Sequence, residues 1–344
     1  MRKLLTGVGA ALLALTALTA CGPGTGAGAT SADASTDDPL VLRFAHNLND
    51  AHVTSQALTA FAEDVEERSE GRITVRMYGN GQLGSETTVL GQLNQGIVDM
   101  TRVSAPGLAN YDPGYHAFGL PYIFESEEEY YRVMDSPEMA EYFRSTAEDG
   151  FVGLTYYTSG ARSFYTADTP VRSPEDLRGL KIRVQDMRSQ TELMTELGAA
   201  PIVMALGDTY TSLQTGLIDG AESNETVLTQ SAHGEVAKSF SMTEHTRIPD
   251  MLVISSDAWE RLDPADQELL VDAGRQSTEN HKVAWEQSIE EAVTEAEAMG
   301  VEFVTDVDLD AFHEATAPVV ERYAAEYPEV ADLLAVIEAA RETT

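Results

Sequence analysis

The chain has 344 residues, 43% of them hydrophobic and 23% charged, with 57 acidic side chains against 22 basic ones and a formal net charge of −35. That is too apolar for a disordered chain and long enough for two domains around separate cores. The acidic excess excludes nucleic acid as a partner, because binding a phosphate backbone depends on Lys and Arg displacing counterions. It also disfavours an anionic membrane surface, so an anionic ligand needs a local Arg cluster that overrides the global field.

Residues 1–20 open with Arg2 and Lys3, continue through an apolar stretch over 4–18, and reach Leu18-Thr19-Ala20-Cys21. A basic start, a short apolar core and small residues are the order of a secretory signal peptide, expected to be removed. The core, about 15 residues, is short for a spanning helix of roughly 20. Leu18-Thr19-Ala20-Cys21 resembles the lipobox of bacterial lipoproteins, in which the cysteine becomes the lipidated first residue; the alternative is an ordinary signal peptide with an incidental cysteine. Cys21 is the only cysteine, so an intrachain disulfide is excluded. After Cys21, residues 22–38 are Gly, Ala, Ser, Thr and Asp with a single Pro23 and almost nothing to bury, so 21–38 reads as a flexible tether. No later apolar run is long enough to span a bilayer. The folded part is therefore expected outside the cytoplasmic membrane, where chemistry that consumes cytosolic nucleotide cofactors is disfavoured.

From Leu40 onward short β-rich runs alternate with amphipathic segments, which predicts an α/β architecture. Strands are expected over 40–46, 73–78, 98–103, 151–157, 181–184, 201–204 and 251–255, and helices beginning near Thr54, Ser85, Ser126, Pro137, Ser173 and Ser189. Ser173-Pro174-Glu175-Asp176 places an N-cap hydroxyl, a first-turn proline and two acids where a helix dipole favours them. Residues 264–300 read as one helix with Leu269, Leu270, Val271, Val283, Ala284, Ile289 and Val293 as its apolar face. At 1.5 Å per residue such a helix is about 50 Å long, enough to brace two lobes. No repeat of fixed period is evident.

Gly79-Asn80-Gly81-Gln82-Leu83-Gly84 is formally GxGxxG after a strand and before a helix, with Asp99 beyond it. The preceding strand alternates as a half-exposed strand does, whereas the central strand of a dinucleotide fold is buried on both faces. The glycines are therefore read as turn residues at a ligand cleft, and no cofactor is expected. The seven histidines form no HxH, HExxH or zinc pattern, and no metal site or catalytic residue is assigned. No GxSxG elbow is present, though a triad assembled from distant positions stays open. Bases are scarce, so their positions carry information. Arg183 ends the alternating run Lys181-Ile182-Arg183-Val184, and Arg162 lies in Ser159-Gly160-Ala161-Arg162. An arginine fork matches a carboxylate, which suits an acidic small molecule; the alternative is a structural salt bridge.

Several motifs then accumulate in order: Gly81-Gln82-Leu83-Gly84 with Glu86, Gly96-Ile97-Val98-Asp99-Met100, Phe118-Gly119-Leu120-Pro121-Tyr122-Ile123-Phe124 and Ser173-Pro174-Glu175-Asp176-Leu177-Arg178-Gly179-Leu180-Lys181-Ile182-Arg183-Val184. They continue through Leu197-Gly198-Ala199-Ala200-Pro201, Tyr210-Thr211-Ser212-Leu213-Gln214-Thr215-Gly216 and Ile218-Asp219-Gly220-Ala221-Glu222. In this order the chain resembles the extracytoplasmic solute-binding subunit of tripartite ATP-independent periplasmic (TRAP) transporters, of the dicarboxylate-binding type. The resemblance implies an α/β, two-lobed periplasmic-binding-protein-like fold with a cleft between the lobes and a long helix spanning both. It assigns residues 39–159 and 249–288 to the first lobe, and 160–248 and 289–344 to the second.

The same resemblance implies that Arg183 forms the bidentate pair with a ligand carboxylate and that Arg162 is a second ligand-contacting base. Glu86, His46 and Asn49 match positions on the first lobe's side of the cleft. The family commonly places Asn directly after the residue matching Glu222; here Ser223 stands there and Asn224 follows, so either of these two is the candidate contact beside Glu222. Tyr210 reads as a ligand contact or as packing. Glu244-His245-Thr246-Arg247-Ile248-Pro249, following Glu222-Ser223-Asn224, is similar to members that bind sugar acids such as uronates. A hydroxylated monocarboxylate is therefore expected, captured by lobe closure without bond chemistry and handed to small and large TRAP membrane subunits by a lipoprotein on the outer face of the cytoplasmic membrane. C4-dicarboxylates or other carboxylates, a ligand-sensing subunit, and least of all a secreted hydrolase are the alternatives.

Overall fold

The computed structural model describes residues 39–342; the expected signal segment, Cys21 and the whole tether lie outside the described residues. The first of two sheets has five strands, in spatial order β2 (Ile73–Tyr78), β1 (Leu40–Ala45), β3 (Met100–Ser104), β10 (Asp250–Ser255) and β4 (Phe151–Tyr157). β1 runs parallel to β2, from Leu40 opposite Ile73 to Ala45 opposite Tyr78, and parallel to β3. β10 is inserted antiparallel between β3 and β4. The second sheet has six strands: β11 (Glu302–Val304), β9 (Ser239–Thr246), β5 (Arg162–Thr166), β8 (Gly220–Ser223), β6 (Lys181–Val184) and β7 (Ala200–Val203). Separate hydrophobic clusters cover each sheet: Phe44, Leu58, Phe61 and Leu252 in the first, Phe164, Leu177, Val184 and Leu193 in the second.

The helices are α1 (Val53–Arg68), α2 (Glu86–Asn94), α3 (Glu127–Met134), α4 (Pro137–Ser145), α5 (Arg188–Glu196), α6 (Thr209–Gln214), α7 (Thr226–Gln230), α8 (Ser256–Glu260), α9 (Pro264–Ala298), α10 (Leu309–Glu326) and α11 (Pro328–Glu342). Each of the seven expected strands is present within a few residues of its predicted position. Four strands were not foreseen: β5, β8, β9 and β11. β5 reads Arg-Ser-Phe-Tyr-Thr and β8 Gly-Ala-Glu-Ser, and every residue of both is buried. Their polar side chains find partners far away in sequence, so the apolar alternation that marks a strand is missing.

The helix expected at Ser173 is one 3-10 turn, Pro174–Leu177. The Asp176 carboxylate accepts from the backbone N–H of Arg172 and Ser173, both at 2.9 Å, so the start signal is real. Arg178 is already extended and Gly179 has φ +81°, which stops the helix before a second turn. The long helix α9 starts at an Asp263 cap, whose carboxylate takes the N–H of Ala265 and Asp266 at 2.9 Å. Its buried stripe differs from the expected one: Leu270, Ala273, Gly274, Ser277, His281, Trp285, Ser288, Ala292 and Ala296. Val283 is 72% exposed, and of the seven expected residues only Leu270 is fully buried. The helix approaches its neighbours through small residues; a Cβ on Gly274 would meet Thr155 Cγ2 at 3.2 Å. Leu270 and Ala273 join a first-sheet cluster and Ala296 a second-sheet cluster, so the helix spans both lobes.

Two short segments, 158–161 and 247–249, also pass from one sheet to the other, and the Ser159 hydroxyl ties them by donating to Ile248 O at 2.9 Å. Gly160 there has φ +64° and lies against the Trp285 indole, 3.2 Å from where a Cβ would stand. Residues 289–344 were grouped with the second lobe, but α11 packs elsewhere: Val330, Leu333 and Ile337 share a cluster with Phe118, Tyr130 and Phe151 beside the first sheet. Phe312 of α10 does join the second-sheet cluster.

Candidate ligand-binding site

A cavity of about 290 Å³ lies between the two sheets, lined by residues at or just past the C-terminal ends of strands: Asn47 after β1, Ser104 on β3, Gln185 after β6 and Asn224 after β8. Ligands in open α/β sheets bind at this end because the connections leave a crevice there. The first lobe contributes Ser85 and Glu86 at the start of α2, Arg102 on β3, Tyr111, and Asp250 at the start of β10. The second contributes Arg162, Arg183, Met204, Ser223 and Asn224, and Ser159 reaches in from a crossing segment.

Arg183 sits near the end of β6, where Lys181 is exposed and Ile182, Arg183 and Val184 are buried. Its Nε and Nη2 donate to Met204 O at 3.0 and 2.9 Å. Only 4% of it is exposed, yet among the described residues no carboxylate pairs with it. Burial lowers its pKa, but a guanidinium stays protonated in proteins. The carbonyl fixes one edge of the fork, and none of the acids that line the cavity is within ion-pair distance of it.

Arg162 is placed differently. Its Nε donates to Glu222 Oε2 at 2.5 Å and its Nη2 to Glu222 Oε1 and backbone O at 2.9 and 2.7 Å. Glu222 is fully buried. Burial pushes its carboxyl up, but Arg162 and the His245 imidazole outweigh that and hold it at about 2. His245 stacks on Phe164 with ring centroids 4.4 Å apart, and its Nε2 lies 3.7 Å from Glu222 Oε2. Arg162 lines the cavity while its Nε and Nη2 are answered by Glu222, so its charge, unlike that of Arg183, has an internal counterion. Glu222 is the internal counterion and does not line the cavity.

Ser223 and Asn224 both line the cavity. Asn224 Oδ1 accepts from Thr226 N at 3.0 Å and Thr226 Oγ1 at 2.6 Å, which leaves its Nδ2 as the free donor. Glu86 lines the opposite wall and accepts from Arg102 Nη1 at 2.5 Å. Besides Glu222, three more expected residues are not brought to the cavity. His46 is buried beneath it beside Gly79, and burial lowers its pKa to about 4. Asn49 Nδ2 donates to Gln230 O at 2.8 Å, joining the loop after β1 to α7. Tyr210 donates to Glu235 Oε2 at 2.7 Å on α6, away from the site. The glycines of the GxGxxG run form a turn, and Asp99 is spent on Arg43 Nε at 2.7 Å and Arg261 Nη2 at 2.5 Å.

Arg102 and Asp250 were missed. Arg102 Nη1 pairs with Glu86 and Nη2 with Asp250, and both acids line the same cavity. Burial works against the charge on Arg102, but the two carboxylates outweigh it and raise its pKa. Scarcity of bases was the available signal, since Arg102 stands in the short run Thr101-Arg102-Val103 before a loop as Arg183 does. Asp250 carried none in a chain with 57 acids. Among the described residues, no group of three or more His, Cys, Asp or Glu could hold a metal ion, and no helix is long and apolar enough to cross a membrane.

The sequence profile of bacterial extracellular solute-binding protein family 7 matches residues 44–326. The uncharacterized protein YiiZ of Salmonella typhimurium is 41% identical over 283 residues, covering 82% of this chain and 86% of its own. Among solved structures, a TRAP periplasmic solute-binding protein of Anaerococcus prevotii with bound D-glucuronate is similar at TM-score 0.84 and 36% identity, covering 88% of this chain and 98% of its own. Another, of Sulfitobacter with bound β-D-galacturonate, has TM-score 0.82 and 33% identity, covering 86% of this chain and 99% of its own.

Proposed function

The chain belongs to bacterial extracellular solute-binding protein family 7, and from that premise we propose that it captures a hexuronate or a closely related sugar acid and delivers it to TRAP membrane subunits. The observation that carries the reading is Arg183: a guanidinium 4% exposed, held by a backbone carbonyl and facing a cavity, with no carboxylate of its own. Leaving a buried charge unpaired is costly, and an incoming carboxylate relieves that cost while forming charge-assisted hydrogen bonds of about 1.5–3 kcal/mol each. The 290 Å³ cavity is at the small end of the roughly 300–1,000 Å³ seen for small-molecule sites, the right scale for a single sugar ring. Asn224 Nδ2, Ser223, Ser159 and Glu86 supply hydrogen-bonding groups for ring hydroxyls, and a wrong ligand leaves them unpaired. Relatives of the same fold with bound glucuronate and galacturonate support the same class.

Capture proceeds by lobe closure, with no bond made or broken. Hydrogen bonds from one lobe to the other support this reading: Gln185 Nε2 to Ser104 Oγ at 2.9 Å and Thr87 Oγ1 to Asp186 Oδ2 at 3.1 Å. A ligand held by Arg183 on one wall and Glu86 on the other binds a closed form better than an open one, which is the differential affinity a population shift requires. Lipidation of Cys21 after signal removal would tether the protein at the outer face of the membrane by the segment 21–38. A thermal-shift series with D-glucuronate, D-galacturonate, succinate and malate tests the ligand class, since a ligand that binds only the native state raises Tm. Stabilisation by the uronates and not by the C4-dicarboxylates is expected; the reverse order overturns the reading.

A further inference from the structure

Arg102 faces the same cavity as Arg183 from the other lobe, and it is wedged between two carboxylates. Nη1 donates to Glu86 Oε1 at 2.5 Å and to Asn47 Oδ1 at 3.3 Å, and Nη2 is paired with Asp250. Nε is buried without a partner. The side chains of Arg102 and Asp250 are 7% and 2% exposed, so this cluster is screened little by water. One cation between two carboxyl groups leaves the first-lobe wall no positive charge to spare, opposite the unpaired Arg183, even though burial raises the Asp250 carboxyl against the pull of Arg102. A ligand that is anionic at one end and hydroxylated at the other matches that polarity. A ligand with a carboxylate at each end does not: its second anion meets Glu86 and Asp250, while the cation that could hold it is already taken.

We propose that Glu86, Arg102 and Asp250 form a masked second carboxylate site, which makes the protein select sugar monoacids and reject aldaric acids of the same carbon number. The inference rests on the reading of Arg183 as the carboxylate anchor. Nothing in the fold forbids a second anchor at Arg102; the two acids cancel it. Removing their charge while keeping their shape therefore turns a rejecting wall into an accepting one, and the specificity of the site widens from one carboxylate to two.

The test is calorimetric titration of D-glucuronate and D-glucarate into the wild type and into Glu86→Gln/Asp250→Asn. Ring and open-chain shapes differ equally for both proteins, so shape cancels from the change in the affinity ratio. The wild type is expected to prefer glucuronate at least tenfold, and the double variant to shift the ratio towards glucarate at least tenfold. A control, Glu290→Gln/Glu297→Gln, removes two charges from the exposed side of α9 and should leave the ratio unchanged. An unchanged ratio in the folded double variant, equal wild-type affinity for both ligands, or an equal shift in the control overturns the proposal. If the double variant lacks a cooperative melt, Glu86→Gln alone, which leaves Arg102 its Asp250 partner, must shift the ratio in the same direction by at least threefold. A wild type that ignores glucuronate while the variant gains glucarate would remove the uronate reading and keep the masking; a wild type that binds glucuronate while the variant gains no glucarate would remove the masking and keep the uronate reading.

Discussion

Arg102 and Arg183 are the same residue type, on strands, almost without solvent, on opposite walls of one cavity, and they are solvated in contrasting ways. Arg102 has two carboxylates, Arg183 one backbone carbonyl. Arg162 sides with Arg102, since Glu222 answers it. A buried arginine is therefore not by itself a ligand anchor. What separates anchor from scaffold is whether the protein has already supplied the counterion, and in a chain with 57 acids the withholding of one from Arg183 is the informative event.

The largest effect that would break this contrast is at Arg183, the proposed anchor. Arg183→Ala is expected to cost about 3–6 kcal/mol of uronate affinity, the loss of two charge-assisted hydrogen bonds, without lowering the Tm of the unliganded protein, because an unpaired buried charge leaves with it. Titration calorimetry and a melt on the same sample read both; retained affinity would transfer the anchor elsewhere.

Glu222→Gln has the opposite signature. It strands Arg162, so a stability loss of about 3–5 kcal/mol is expected in urea unfolding. The pH dependence sharpens the point. Glu222 is held at about 2 in the folded protein against an ordinary value of 4.5, so its contribution is present above 4.5 and is lost as pH falls towards 2. The wild type should lose that increment across this window, and Glu222→Gln should show a flatter profile; parallel profiles would mean that the pair does not carry it. The smallest effect is at Tyr210, whose hydroxyl serves Glu235 and not the cavity. Tyr210→Phe is expected to leave ligand affinity within twofold, and a larger loss in calorimetry would return it to the site.

Much of this was legible in the sequence, unevenly and for physical reasons. Arg183 stood out because its strand alternates and bases are few. The seven strands with apolar signatures were readable, while β5 and β8 were not, and those are the strands that carry Arg162, Glu222 and Ser223. A strand that builds a polar site looks unlike a strand, since its buried polar atoms are satisfied from distant parts of the chain. The length of α9 was legible, but its face was not: close packing through Gly274, Ser277 and Ser288 leaves Val283 in water. Asp250 was invisible because an acid becomes informative only when its neighbour across the sheet is known.

The contact between Gly160 and Trp285 has a practical side. Only two tryptophans exist in the chain, and this one rests on the peptide that links the sheets. Any bend at that link slides a backbone dipole across the indole face. Trp285 is thus a built-in fluorophore beside that link, and its emission is expected to shift when uronate binds, with Trp259→Phe isolating its signal.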